Sequence, residues 1–183
     1  MTASFGHPST SWGNCPASKC IDGDHTTMRN CDYSSSSMCH SAGGDDIYFT
    51  LDFGTTTTTV QKVIVYTRLD TCCQADGNCR NILGQHEIWI GDSSAAPTRN
   101  TLLCSSMDAR GGLVLEHVCT PNAGIPGRYV FVLFPGYGRL INLQEVEVYG
   151  STDLSTAASS TTASPTSTSP NFFNGQLDVW ESM

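Results

Sequence analysis

The sequence predicts an all-β fold, a jelly-roll β-sandwich, on three observations. Short runs of β-branched and aromatic residues alternate apolar with polar, the period of half-buried strands. Clusters of Gly, Pro, Asp, Ser and Thr separate those runs as turns. No stretch sustains the periodicity of a helix.

The strands follow in order. Ile47, Phe49, Leu51 and Phe53 alternate with Tyr48, Thr50 and Asp52, and Gly54 with the Thr55–Thr59 run forms the turn after them. Val60 to Thr67 is β-branched and leads into Arg68. His86 to Ile90 is a short strand stopped by Gly91-Asp92, and Gly112 to Cys119 is a further candidate. Tyr129 to Phe134 is a strong apolar strand ended by Pro135-Gly136, and Leu140 to Tyr149 closes the series with alternating Val146 and Val148. Strands of this length between frequent turns suit a sandwich or jelly roll.

The composition shifts after Gly150. Residues 1–150 form the domain. Residues 151–170 are almost all Ser, Thr, Ala and Pro, too poor in apolar surface to offset ordering entropy, and read as a disordered linker. Residues 171–183 carry Phe172, Phe173, Leu177, Val179 and Trp180, a tail or the start of a further module. A length of 183 residues suits one domain with such extensions.

Charge and cysteine content exclude several classes. The net charge of −8 argues against nucleic acid, which needs clustered excess Lys and Arg. Nine cysteines point to an oxidising compartment, hence a secreted or extracellular protein. No apolar stretch is long enough for membrane insertion. Met1 to Phe5 lacks the charged and apolar regions of a signal peptide, so the chain reads as a fragment or internal module. Neither Gly-x-Ser-x-Gly nor His-Glu-x-x-His occurs, and an enzyme within the segment is not expected.

One run carries distinctive chemistry. Arg68-Leu69-Asp70-Thr71-Cys72-Cys73, followed by Cys79-Arg80, sets two guanidinium groups around adjacent cysteines. A Cys72–Cys73 bond would form a compact, sulfur-faced platform. Cys73–Cys79 is the alternative pairing and would close a small loop. Arginines offer planar forks of donors to hydroxyls, and a flat apolar platform suits the carbon face of a sugar ring. Asp70 would orient an arginine by a charge-assisted bond rather than touch sugar. Asp22-Gly23-Asp24 separately supplies hard oxygen ligands in a tight turn, which suits Ca²⁺. Cys15, Cys20, Cys31 and Cys39 can form two local bonds, with Cys15–Cys20 and Cys31–Cys39 one arrangement.

Five segments then occur in a recognisable order: Ile21 to Asp24, Tyr48 to Gly54, Glu87 to Asp92, Gly127 to Val130, and Glu145 to Gly150. In this order they resemble the F-type lectins, the fucolectin branch of the discoidin-like, galactose-binding-domain superfamily. The resemblance covers about residues 3–150, with Gly6-His7-Pro8 at the first strand. It implies recognition of terminal L-fucose on fucosylated glycans, without catalysis. It implies a sugar site of His40, Arg68 and Arg80 as donors, with Cys72–Cys73 beneath the ring. His40 precedes Arg68 by 27 intervening residues, and Arg68-Leu69-Asp70 matches the family's Arg-x-Asp. The closing basic residue is expected after four further residues, where Ala75 stands; Arg80 follows Asp70 after nine, as an insertion would give. His25 is an alternative histidine. Tyr48 and the 41–47 loop are candidates for the fucose methyl pocket.

The resemblance also implies a structural calcium held by Asp22, Asp24 and Glu145, with backbone oxygens of Lys19, Ser37 and Gln144. It implies a Cys104–Cys119 bond, and it leaves Cys79 as the odd thiol among nine. Shallow monosaccharide sites are weak, so an oligomer or tandem modules are expected partners in avidity. Two readings compete: a discoidin-like adhesion module for protein, lipid or another glycan, and a carbohydrate-binding module attached to an enzyme outside this segment.

Overall fold

A computed structural model of the chain describes residues 1–6, 11–25, 38–68, 83–95, 97, 101–108, 114–119 and 123–152. Two antiparallel sheets face one another, as the alternating runs require. The first has the order β1 (Thr2–Gly6), β3 (Ile47–Asp52), β9 (Tyr129–Phe134), β5 (Gln85–Gly91) and β6 (Thr101–Asp108). The second has the order β2 (Cys39–His40), β10 (Asn142–Thr152), β4 (Thr58–Thr67) and β7 (Val114–Val118), with β8 (Ile125–Gly127) also paired to β4. A 3-10 helix, Ala17–Ile21, packs beside them.

Inward residues fill the space between the sheets. Phe49, Leu51, Ile88, Ile90, Val130, Val132 and Phe134 come from the first; Val63, Val65, Leu115, Leu143 and Val146 come from the second. Each such fully buried side chain is worth roughly 1.5–3 kcal/mol of transfer free energy.

Several expectations shift. The first strand is Thr2–Gly6; His7 and Pro8 of the expected Gly6-His7-Pro8 lie outside the described residues. β4 begins at Thr58, so the threonine turn is shorter than expected. β10 continues through Ser151 and Thr152, which pair with Thr59 and Thr58. Residues 153–183, and with them nearly all of the linker and the tail, lie outside the described residues.

The disulfides differ in part. Cys104–Cys119 forms and ties β6 to the chain just after β7, one from each sheet. Cys20 pairs with Cys39, which corrects the Cys15–Cys20 and Cys31–Cys39 arrangement. The correction follows from the core: Cys20 and Cys39 both have no exposed surface and both join the main apolar cluster. Local spacing does not reveal that the 3-10 helix packs on β2. Closing a loop of this length contributes about 3 kcal/mol. Cys31 and Cys79 lie outside the described residues.

Candidate sugar site and carboxylate turn

β10 brings the histidine and the arginine together. His40 pairs with Asn142, and Leu143 pairs with Thr67, so Asn142 lies level with Arg68, one residue past the end of β4. Cross-strand partners project to the same face of a sheet. Cys39, Leu143 and Thr67 make the neighbouring rung; Cys39 and Leu143 join the core. His40, Asn142 and Arg68 therefore form a polar row at one end of the second sheet. All three are buried, at 7 %, 4 % and 5 % exposure.

Burial lowers the pKa of His40 below the usual histidine value, and the Arg68 charge lowers it further; a hydrogen bond with the Ser41 backbone opposes both. The imidazole is thus neutral at neutral pH. Asn142 contributes a buried amide oxygen that accepts no hydrogen bond among the described residues. Such an orphaned acceptor is uncommon in a folded protein and calls for a partner.

The segment before the 3-10 helix is fastened to β2. The Trp12 N–H donates to the His40 carbonyl at 2.8 Å, and the His40 N–H donates to the Cys15 carbonyl at 3.0 Å. Ser11 forms a bridge with Ser41. The Trp12 ring meets the His40 ring at 5.7 Å between centroids, tilted by 71°. On the far side, the 41–47 loop is pinned to the β9–β10 connection. Asp45 and Asp46 carboxylates accept from the N–H groups of Gly138 and Gly136 at 2.9 and 2.8 Å. Tyr48 packs edge-on against Phe131. His25 stacks on Tyr66 at 4.5 Å. Asp70, Cys72, Cys73 and Arg80 lie outside the described residues, so the second half of the expected sugar set does too.

The carboxylate turn is also assembled. Gly23 has φ of +80°, a left-handed conformation that suits glycine. Its N–H donates to Glu145 Oε2 at 3.1 Å, and the Asp24 N–H donates to Asp22 Oδ1 at 3.1 Å. A register shift between Leu143 and Glu145 marks a bulge at Gln144, which re-aims Glu145. Glu145 is 2 % exposed, and burial pushes its pKa up to about 7; the Asp22 carboxylate adds to the rise. The Lys19 ammonium lies 3.3 Å from Asp22 Oδ2. Two mutually repelling carboxyls, one of them buried, fit a cation of hard character. Among the described residues, no three His, Cys, Asp or Glu side chains group to hold a metal, so the fit depends on backbone oxygens as well. Ser37 lies outside the described residues.

Sequence reasoning missed Trp12, Asn142 and a His86–His117 pair between the sheets. Trp12 carried a readable signal: a lone indole in the polar stretch Ser9 to Asn14 has no core-forming pattern around it. Other family-like segments prove to be scaffold. Arg128 in Gly127 to Val130 clamps Asp52 of β3 through two bonds, at 2.7 and 2.9 Å, and that clamp holds the Asp52 carboxyl below its usual pKa.

The two facing sheets and their strand order define a discoidin-like β-sandwich, a class that includes lectins and carbohydrate-binding modules. Within it, the solved structures most like this chain include F-type lectin domains. It is similar to an f-lectin (fucolectin) from striped bass (Morone saxatilis) serum, at 26 % identity and a TM-score of 0.64, over 82 % of this chain and 45 % of that one. The chain thus spans under half the length of that fucolectin. It is also similar to the lectin domain of lectinolysin complexed with Lewis B antigen, at 26 % identity and a TM-score of 0.60, over 82 % and 92 % of the two chains. A family 32 carbohydrate-binding module from C. perfringens NanJ, in complex with galactose, shares the fold at 16 % identity and a TM-score of 0.55, over 80 % and 91 %. No family model matches the sequence, and no curated protein matches it.

Proposed function

We propose that the domain binds terminal L-fucose on fucosylated glycans, without catalysis. The observation that carries this reading is the buried His40–Arg68 pairing across Asn142, in a chain similar to a fucolectin. Fucose is neutral, so recognition rests on hydrogen bonds and apolar contact. Arg68 presents fixed donors to neighbouring hydroxyls. A neutral His40 donates from one ring nitrogen. The Asn142 amide oxygen accepts from a sugar hydroxyl. In this reading Arg80 supplies the second guanidinium, Asp70 orients an arginine, and Cys72 and Cys73 lie beneath the ring. A single site of this kind binds in the micromolar to millimolar range, about −4 to −8 kcal/mol. Avidity then comes from an oligomer or from tandem modules.

Immobilised L-fucose tests the reading. The wild type should be retained and eluted by free fucose, while Arg68→Ala should lose about 100-fold in affinity. Retention on galactose or on anionic vesicles, with none on fucose, would replace the reading with the adhesion alternative.

A calcium ion fits the Asp22–Asp24 turn in the same proposal, held by Asp22, Asp24 and Glu145 with backbone oxygens of Lys19, Ser37 and Gln144. Bound there, the ion would neutralise the two repelling carboxyls. The turn follows directly from Cys20, whose disulfide partner Cys39 precedes His40. Calcium would therefore stiffen the support of His40 without touching sugar. Chelation should lower Tm by several degrees, and re-added Ca²⁺ should restore it. Equal melting of verified metal-free and calcium-loaded protein would remove the ion from the proposal.

A further inference from the structure

We infer that the open edge of β7 takes an extended peptide as an added strand, and that this peptide sets a Lys or Arg between two apolar residues on one face. That edge lies across the second sheet from β2 and His40, and a peptide there is independent of the fucose reading.

The backbone shows which groups are open. β7 pairs only with β4, Val118 lying opposite Lys62 and Val114 opposite Tyr66. One residue further on, the Cys119 N–H donates to the Gln61 carbonyl at 2.8 Å. Bonded and non-bonded residues alternate along an antiparallel pair. Leu115, His117 and Cys119 therefore turn their main-chain groups toward β4, and Val114, Glu116 and Val118 turn theirs toward the edge. Among the described residues, no strand pairs with β7 on that side. Such a row of donors and acceptors is a template for an extended segment from another chain. β7 holds no proline or glycine that would blunt it.

The side chains then select the occupant. Leu115 and His117 face inward and are buried, while Val114 and Val118 are 52 % and 56 % exposed on the outer face. Glu116 stands between the two valines, its side chain 55 % exposed. A second copy added antiparallel over the whole strand would bring two Glu116 carboxylates directly opposite each other, and like charges so placed are destabilising. A strand with Lys or Arg at that position gains an opposite-charge pair instead. Lys62 lies 3.7 Å from Glu116, but an exposed pair of this kind is worth little. Lys62 also sits 4.7 Å from the centre of the Tyr149 ring, which offers it a place when a second cation arrives. Val114 and Val118 call for apolar cross-strand partners, and the net charge of −8 favours encounter with a basic segment. The fitting sequence is apolar-x-basic-x-apolar in extended form.

The probe is an acetylated and amidated peptide with the core Val-Thr-Lys-Thr-Val, titrated into the isotope-labelled chain and followed by NMR. The wild type should bind it with a Kd of about 1 mM, and the amide signals of Val114, Glu116 and Val118 should move most. A peptide with Glu in place of Lys should bind about fivefold more weakly. Glu116→Lys should reverse that preference, with thermal melting confirming its fold. A peptide N-methylated at the central Lys cannot donate to the edge and should lose binding to the wild type. Silence of the β7 amides with the Lys peptide overturns the proposal. Equal binding of the N-methylated peptide overturns strand addition, and an unchanged preference in Glu116→Lys overturns the role of the charge. Self-association of the wild type in sedimentation, abolished by Val118→Asp, would give the edge to a second copy and overturn the peptide as its occupant.

Discussion

His86 and His117 lie between the two sheets, whereas His40 lies at the end of one. His86 projects from β5 and His117 from β7, and their Nε2 atoms are 2.9 Å apart. The pair is enclosed, at 1 % and 0 % exposure, and Phe134 stacks on His86. Burial lowers both pKa values, His117 to about 4. His40 is also buried and also lowered, but its neighbours are Arg68, an unsatisfied amide oxygen and a half-exposed indole. Burial and a depressed pKa are therefore common to both places and decide nothing alone. The difference lies in what surrounds the ring. One pair is bonded ring to ring between the two sheets; the other end of the molecule gathers polar groups beside an exposed ring.

The largest effect that separates them is acid stability. The unfolded chain protonates its histidines near pH 6.5, while the folded His86–His117 pair resists protonation. Protons thus bind more readily to the unfolded chain below that pH, and stability falls as pH drops from 6.5 toward 4. His117 alone accounts for a loss on the order of 3 kcal/mol across that window. Asp108 raises and Arg139 lowers the His86 pKa, so these charges set the balance on that ring. Glu145 acts in the opposite sense in metal-free protein, because its folded pKa is raised. A comparison cancels this term. The double variant His86→Phe/His117→Leu should lose most of the pH slope that the wild type shows by denaturant titration, and it should bind sugar as before. An equal slope in both proteins would remove the pair from the account.

A smaller effect tests the other end. The Asn142 amide oxygen has no hydrogen bond to lose among the described residues, so Asn142→Ala should change Tm little. If that oxygen accepts from fucose, affinity should fall about tenfold, which is about 1.4 kcal/mol. A variant that melts several degrees lower yet binds normally would make Asn142 a structural residue, like the histidine pair.

The contrast also shows what the sequence reveals. Tyr129 to Phe134 and Ile47 to Asp52 were legible because one face of each strand packs into a core, which imposes period two. β6 was not expected as a strand, and of β1 only its last residue, Gly6, was. Both are sheet edges, where one side of the backbone is unpaired and side chains such as Leu102 and Leu103 stay exposed, so no alternation is enforced. β2 has only two residues and no period at all. At the candidate site, His40 and Arg68 were singled out through spacing that a family resemblance gives meaning to. Asn142 was not found, because its role depends on register across β2, β10 and β4, which is a property of three distant segments. Cys20–Cys39 was missed for the same reason. The His86–His117 contact joins strands from opposite sheets, and no local pattern encodes it.

The finest test is a change that should not occur. His40 must be neutral to stand beside Arg68; a second cation there would be unfavourable, and the Arg68 charge already lowers its pKa. Because burial and Arg68 both depress that pKa, protonation begins only below the ordinary histidine range. Fucose affinity should therefore be level from pH 8 down to 6.5 and decline only at lower pH. An exposed histidine donor would lose affinity across pH 7 to 6 instead. Titration calorimetry at half-unit steps separates the two courses. A decline centred near pH 6.5 would mean that His40 is solvated in the binding-competent state, and the distinction between its buried row and an ordinary surface histidine would be lost. A level course that persists below pH 5 would mean that sugar binding does not depend on the His40 protonation state, leaving Arg68 and Asn142 to carry the polar contacts on this side.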